Sequence, residues 1–437
     1  MIEAAARRAA FAVLARLRVG QLTVVEDGRA HVFGAGAPQA TVVVRSPRVW
    51  PALARGGRGL AESYVAGLWD TEDLTALIRV AARNIDALDA ARRRVAPVWA
   101  PVQRGRSALA RNTPVRSRRD IAAHYDLGND LFALMLDPTM MYSSAIFETP
   151  GMTLEEAAVA KLERVCAKLD LRPSDRVLEI GTGWGGFAVH AAATRGCHVT
   201  TTTISREQHA HAVARVRAAG LEDRVTVLAQ DYRELRGRYD KLVSVEMIEA
   251  VGWQYFDTFF RRCAALLEPD GLMLLQAITI DDRFYELEKA ARSFANTQVF
   301  PSGCLPSLPV IRRCAQRAGL AELADDDITD SYPMTLRRWR ERFAAAGEQI
   351  AALGYDERFR RLWDLYLCWS EGGFLERRIE DHQLLLRRVK MRSDTVSSNH
   401  AGPREASLAS ASFPPGPSTL SSDRIAATTL RAQSQAG

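Results

Sequence analysis

The sequence predicts an α/β protein built on a doubly wound, mostly parallel sheet, and three observations predict it. The first is alternation. Strand-length apolar runs at 176–180, 197–203, 224–229, 241–245 and 272–278 alternate with helical periodicity at 186–194, 206–219 and 255–267. Such alternation gives parallel strands joined by right-handed crossovers. The second is the run Val-Leu-Glu-Ile-Gly-Thr-Gly-Trp-Gly-Gly-Phe at 177–187, a buried strand followed by a glycine-rich turn and a helix start. The third is a change of pattern. Residues 1–90 carry a hairpin and short helices and read as a small separate α+β domain.

The elements follow in order. An amphipathic first helix carries Glu3 and arginines at 7, 8, 16 and 18. It has no clean apolar core followed by a small-residue cleavage site, so it reads as a helix and not as a signal peptide. Residues 22–25 and 30–33 flank Glu26-Asp27-Gly28-Arg29, a hairpin signal. A strand at 40–45 and helices at 50–54 and 74–83 complete this part. Residues 91–119 form a linker with Pro97, Pro101 and Pro114, and nine arginines lie between Arg92 and Arg119. The main domain spans 120–390. It has a Pro269-Asp270-Gly271 turn before its late strand and closes with helical stretches at 336–353 and 356–386. Residues 391–437, rich in Ser, Ala, Pro and Gly with Phe413 as the one aromatic, cannot offset ordering entropy and are expected to be disordered.

The bulk composition excludes several classes. Hydrophobic content of 47% and charge of 25% over 437 residues are those of a globular chain with room for two or three domains. The six cysteines (166, 197, 263, 304, 314, 368) show no zinc spacing, and the eight histidines no metal-ligand spacing, so no metal is expected. Scattered cysteines suit reduced thiols in the cytoplasm. No apolar run reaches about 18 residues, so no spanning helix is expected. The net charge of +6 is mild, and no base-stacking motif or DNA-reading helix supports a nucleic-acid partner.

The turn carries the first chemistry. Gly181, Gly183, Gly185 and Gly186 let backbone approach a ligand closely, beside the free N–H groups of a new helix. The spacing E-x-G-x-G-x-G-G differs from the G-x-G-x-x-G of dinucleotide binders. Glu179, just before the first glycine, favours a cationic ligand. S-adenosylmethionine, with its ammonium and sulfonium, meets that requirement.

Further segments fit one family in order and spacing: GLAESYVAGLWD at 59–70, AHYDLGNDLFALMLDPTMMYSSAIFE at 123–148, TISREQ at 203–208, QDYREL at 230–235, VSVEMIEAVG at 243–252, VFPSGCLPS at 299–307 and SYPMTLRRWRERF at 331–343. From about residue 58 to 390 the chain resembles the cyclopropane-fatty-acyl-phospholipid synthase family of S-adenosylmethionine-dependent methyltransferases. The resemblance implies a seven-stranded methyltransferase sheet with a helical lid and C-terminal portion. It places cofactor contacts on Tyr142, Ser143, Gly181, Gly183, Thr203, Gln208 and Tyr232. General methyltransferase logic adds Asp231 as an acceptor for the adenine amino group. Glu179 and Gly185 join the set from the turn, and Tyr125 lines the cofactor or acyl site. Glu207 is the nearest acid to the second strand, but its helical position faces solvent.

The implied substrate is a cis double bond in a phospholipid acyl chain. Methyl transfer to so feeble a nucleophile rests on proximity and a dry site. It leaves a carbocation that aromatic faces stabilise and that a base must resolve. Removing a proton from the new methyl closes a cyclopropane; loss without ring closure leaves a methylene or branched olefin. In the family a bicarbonate ion serves as the base. Its holders fall here on Glu249, Ile278 and Tyr332, with Ser144 where the family has Cys, Gln276 where it has His, and Ala250 in place of the His after the glutamate. Gln276 donates a hydrogen bond but does not shuttle a proton as His does. This combination resembles the subgroup that makes 10-methylene, later 10-methyl, stearoyl lipids. The expectation is therefore an oleoyl phospholipid methylated to a 10-methylene chain, with cyclopropane formation as the alternative.

Each assignment has a plainer counterpart. Glu249 is also placed to cap a helix, and Tyr332 to be a core tyrosine. Ser144 and Gln276 are open to reading as drift. His124 suits packing or capping, and Cys304 a structural thiol with no base near it in sequence. The aromatics of 284–300 suit either core or a cover for the acyl tunnel. The 92–119 arginines suit either a solvated face or a peripheral membrane surface, where each adds about 1 kcal/mol of attraction to anionic lipid. The sequence leaves open a reductase partner and a homodimer.

Overall fold

A computed structural model of the chain describes residues 2–53, 55–85, 128–290 and 303–389. The linker at 91–119, Tyr125, His124, Phe294, Phe300 and the tail from 391 lie outside the described residues. At the amino end, β1 (Gly20–Glu26) and β2 (Arg29–Ala35) form the expected hairpin. Its two-residue loop is Asp27-Gly28, both at positive φ (50° and 73°), the conformation that matches strand twist. With β3 (Gln39–Val44) and β4 (Trp69–Thr71) they make a four-stranded sheet in the order β2-β1-β3-β4. The helix Leu74–Arg83, capped by Asp73 through a 2.8 Å bond from the Ala76 N–H, follows as expected. The helix Gly57–Val65 and β4 are additional to the sequence reading.

These residues share a hydrophobic core with helices from the other end of the chain. Leu22, Trp50, Trp69 and Ile78 belong to the same cluster as Trp339, Trp363 and Phe374. Polar ties reinforce the docking: Thr75 donates to Glu371 at 2.8 Å, and the Arg361 guanidinium stacks 4.0 Å over the Tyr64 ring. At Gly372 an added Cβ would meet Ile78 at 2.7 Å, so glycine permits the close helix crossing.

The main sheet has seven strands in the order β10-β11-β9-β8-β5-β6-β7. They are β5 (Arg176–Ile180), β6 (His198–Thr202), β7 (Val225–Leu228), β8 (Tyr239–Val245), β9 (Leu267–Ile280), β10 (Leu320–Asp327) and β11 (Ile379–Arg388). From β7 to β9 all neighbours are parallel, while β11 is antiparallel to both β9 and β10. The doubly wound α/β class read from the alternation is thus the fold observed. Val177, Leu178 and Ile180 of β5 are all buried, as a strand covered on both faces requires.

Three expectations are corrected. The stretch 356–386 is not one helix. The helix Glu357–Leu375 ends before Arg377, which takes a left-handed φ of 49°, and β11 follows. Its Leu384 and Leu386 are buried, and the periodicity of a doubly buried strand does not differ from that of a core helix. The stretch 336–353 divides into helices Ser331–Ala345 and Gly347–Ala352. Pro269-Asp270-Gly271 does not separate elements but kinks β9. Asp270 sits at φ 63°, and the register against β8 slips between Tyr239 and Lys241. Among the described residues no helix is long and apolar enough to cross a membrane.

Candidate active site

The glycine turn leaves β5 beneath β6, with the N–H groups of Gly181 and Thr182 both donating to the Thr202 carbonyl at 3.1 Å. Gly181, Gly183 and Gly185 take φ of 106°, 51° and 84°, where side chains are strained. At Gly186 a Cβ would come within 2.5 Å of the Thr139 carbonyl oxygen, so glycine lets the segment carrying Tyr142 and Ser144 pass over the turn. At Gly183 a Cβ would meet nothing within 4 Å, and that side of the turn is open to a ligand. The helix Gly186–Arg195 presents its unsatisfied N–H groups there.

The residues expected around S-adenosylmethionine come from several elements. Thr203 follows β6 and donates to the Gln208 side-chain oxygen at 2.9 Å; both are buried, while Glu207 is exposed as expected. The Gln208 amide is left to donate with its nitrogen where an acid would accept. Arg233 holds Asp231 in a two-pronged pair at 2.9 and 2.7 Å, and its backbone N–H adds a third bond to Oδ1 at 2.9 Å. The Tyr232 ring packs 5.5 Å from Phe259, and its buried hydroxyl has no hydrogen-bond partner among the described residues. Glu179 is buried and accepts from the Thr201 hydroxyl at 2.6 Å; burial pushes its carboxyl up to about 8. A cation beside it would draw that proton off. A hydroxyl that meets no partner and a buried acid that meets no counter-charge among the described residues, beside an open glycine cradle, fit this cofactor, which supplies an electrophilic methyl when bound.

Tyr142 and Ser143 lie on the segment that passes over the turn, with the Phe132 ring 5.1 Å from Tyr142 and 4.9 Å from Trp184. The Tyr142 hydroxyl donates to that of Tyr366 at 3.0 Å and its ring lies 5.2 Å from Trp339, while Ser143 accepts from the Lys161 ammonium at 2.5 Å. Lys161 is fully buried on the helix Leu154–Lys168, whose start is fixed by a capping box between Thr153 and Glu156.

Beside this lies a cluster of carboxyl groups that strand register assembles. Val245 pairs with Gln276 across β8 and β9, Gln276 pairs with Gln383 across β9 and β11, and Ile278 pairs with Asp381. The carboxyl ends of β8 and β9 therefore meet the beginning of the antiparallel β11. Glu246, just past β8, is the hub. Its Oε1 accepts from the Ser144 N–H at 2.9 Å and from the Gln276 amide at 2.8 Å, and its Oε2 accepts from the Tyr332 hydroxyl at 2.5 Å. Gln276 also donates to Asp381 at 3.0 Å and accepts from Gln383 at 3.0 Å. Glu249, in the short turn Ile248–Ala250, accepts the Ile278 N–H at 2.6 Å through Oε1, while its buried Oε2 has no partner among the described residues. The five catalytic candidates, Ser144, Glu249, Gln276, Ile278 and Tyr332, are thus brought together. The Tyr332 ring stacks on Phe374 with centroids 4.2 Å apart.

The electrostatics follow from burial. Burial and the Glu246 charge push Glu249 up to about 8. Burial, reinforced by Glu246 and Glu249, holds Asp381 well above the carboxylate range. Burial also raises Glu246, but bonds from Tyr332, Ser144 and Gln276 and the charge of Lys161 oppose it. Lys161 is depressed by burial and supported mainly by Glu246. Glu249 thus holds its proton at neutral pH, and Asp381 and Glu246 are displaced in the same direction, Glu246 with the most bonds and charge opposing the shift. Cys304 donates its N–H to the Glu249 carbonyl at 2.9 Å, and burial holds its thiol up at about 12, which suits a structural role. Tyr285 is buried, and Arg378 lies 4.3 Å over the Phe284 ring.

Glu246, Asp381 and Lys161 are the residues that sequence reasoning missed. The signal for Glu246 was present, since Val-Ser-Val-Glu-Met-Ile-Glu puts a second acid three positions before Glu249 at a strand end. It also stands at φ 47°, a left-handed position that costs a non-glycine residue about 1 kcal/mol or more.

A family model described as mycolic acid cyclopropane synthetase matches residues 112–384. The tuberculostearic acid methyltransferase UfaA1 of Mycobacterium tuberculosis is 38% identical over 381 residues, covering 83% of this chain and 86% of that protein. The cyclopropane-fatty-acyl-phospholipid synthase of Escherichia coli is 37% identical over 369 residues, covering 82% and 91%. Among solved structures, mycolic acid cyclopropane synthase CmaA1 complexed with SAH and CTAB matches with a TM-score of 0.58 at 31% identity, covering 62% of this chain and 98% of that one. The chain belongs to the mycolic acid cyclopropane synthetase family and is an S-adenosylmethionine-dependent methyltransferase.

Proposed function

We propose that this enzyme transfers a methyl group to the cis double bond of an unsaturated acyl chain in membrane phospholipid and releases a 10-methylene chain. The observation that carries the reading is the convergence of Ser144, Gln276 and Tyr332 on the Glu246 carboxyl at the end of β8, with the raised Glu249 three residues on and the rings of Tyr332, Phe374 and Trp339 alongside. A buried cluster with aromatic faces and a carboxylate base suits a reaction that passes through a carbocation and ends by losing a proton. Gln276, Ser144 and Ala250 support the methylene outcome, because they depart from the ring-forming pattern at the proton-removing end. Ring closure is the second reading, supported by the relative named cyclopropane-fatty-acyl-phospholipid synthase. NMR of lipid treated with enzyme and S-adenosylmethionine separates the isomers: exocyclic methylene protons support the first reading, and cyclopropane protons as the major signal replace it with the second.

Two companions follow chemically. A methylene branch becomes a saturated methyl branch only by reduction, so a hydride-donating reductase consumes the product. The substrate lies in a bilayer, and the 92–119 arginines supply a peripheral attachment with positive charge. Vesicle binding should rise with anionic lipid and fall with salt; binding indifferent to both removes this attachment. S-adenosylmethionine is the cofactor in either reading. The bicarbonate implied by the family resemblance fits less well, since the donors assigned to it at Ser144, Gln276 and Tyr332 already bond to Glu246.

A further inference from the structure

We infer that this enzyme carries its base in its own chain: the Glu246 carboxylate takes the place of a bound bicarbonate ion and accepts the proton that the methylated acyl chain loses. This rests on the acyl-methylation reading above. Three elements aim donors at one carboxylate: the loop before residue 145 through the Ser144 N–H, β9 through Gln276, and the helix Ser331–Ala345 through Tyr332. These are three of the positions that the resemblance gives to holding an external anion. Glu246 satisfies them with a covalently tethered carboxylate of similar shape and charge. A separate anion would have to displace it while adding negative charge beside Glu249 and Asp381, with Lys161 the one cation among the groups acting on Glu246.

The backbone supports the assignment. Glu246 occupies a left-handed conformation that glycine adopts without strain, and its N–H is tied to the Gln276 carbonyl at 2.8 Å, so the side chain is fixed toward the donors. Burial lifts its carboxyl above the ordinary range, which makes it a stronger base than a surface carboxylate.

The step balances. The alkene π pair forms the new C–C bond, the sulfonium S–C pair stays on sulfur, and the charge falls on the neighbouring chain carbon. A proton then passes to a Glu246 oxygen. The C–H pair becomes the exocyclic double bond after a hydride shift to the neighbouring carbon, or the third ring bond without one. Glu246 returns the proton to solvent between turnovers. Gln276, Tyr332 and Ser144 are positioning residues for this base.

The test compares wild type, Glu246→Gly and Glu246→Gln in buffer stripped of carbon dioxide and in buffer with added bicarbonate. Two readouts are used: methyl transfer to oleoyl phospholipid, and thermal unfolding of the cofactor-bound protein without lipid. Wild type should be indifferent to bicarbonate in both. Glu246→Gly, whose backbone is relaxed, should lose about a hundredfold or more in turnover without bicarbonate, recover with it, and gain thermal stability from it. Glu246→Gln should bind cofactor and remain slow with or without the ion. Stimulation or thermal stabilisation of wild type by bicarbonate overturns the inference, as does full turnover by Glu246→Gly in stripped buffer. The unfolding arm needs no substrate. If wild type methylates no unsaturated phospholipid, the functional reading fails while the competition between Glu246 and bicarbonate is still decided.

Discussion

Glu249→Gln should make the protein more stable, and by an amount that depends on pH. The Glu249 Oε1 accepts the Ile278 N–H, and Oε2 is buried with no partner among the described residues, so a protonated carboxyl fits the site better than an ionised one. Burial and the neighbouring Glu246 charge raise its pKa from the ordinary 4.5 to about 8. The folded state therefore holds this proton more tightly than the unfolded state does. Stability from this group is fully present below about pH 4.5 and is lost as pH rises toward 8. At about 1.36 kcal/mol per unit the full excursion is near 4–5 kcal/mol; sharing charge with Glu246 lowers the expectation to about 3 kcal/mol. Glutamine mimics the protonated acid: its oxygen keeps the Ile278 bond and it does not titrate. Urea unfolding of both proteins across about pH 5 to 9 should give nearly equal stabilities at the acid end. The variant should pull ahead by about 3 kcal/mol near pH 8 and stay level above it. A constant difference, or a variant less stable throughout, refutes the placement of a protonated Glu249 in this cluster.

Tyr332→Phe keeps the ring stacked on Phe374 but removes a 2.5 Å bond to Glu246. A hydrogen bond to a charged group contributes about 1.5–3 kcal/mol, so the acid limb of the pH–turnover profile should move up by about one unit; an unmoved limb separates Tyr332 from the base. Glu179→Gln removes the acid whose proton a cationic cofactor would displace. S-adenosylmethionine should bind about tenfold more weakly, while S-adenosylhomocysteine, lacking the sulfonium charge, should lose less. Calorimetry showing equal losses for both removes the charge argument.

The frame of the protein was legible because parallel strands buried on both faces and a glycine-rich turn leave short, unambiguous patterns. β5 matches its expected span residue for residue, and the Asp27-Gly28 hairpin stands where its turn chemistry put it. β11 was illegible for the same physical reason: a strand with Leu384, Leu385 and Leu386 side by side shows no period of two. Losing β11 meant losing Asp381, which reaches the site only because an antiparallel strand begins at the end where its parallel neighbours finish. Glu246 was hidden differently. Resemblance draws the eye to Glu249 three residues on, and only the register of β8 against β9 reveals that the Gln276 amide points at Glu246. Lys161 lies in a helix with mixed charge, where one buried lysine does not stand out from solvated ones.

The most direct test of the account is a product analysis. Purified protein, S-adenosylmethionine and vesicles of oleoyl phospholipid are incubated in buffer stripped of carbon dioxide, and the extracted lipid is examined by NMR. Exocyclic methylene protons on the acyl chain are expected, formed at an undiminished rate without bicarbonate. Unmethylated lipid would contradict acyl methylation itself, and methylation that begins only when bicarbonate is added would contradict the built-in base.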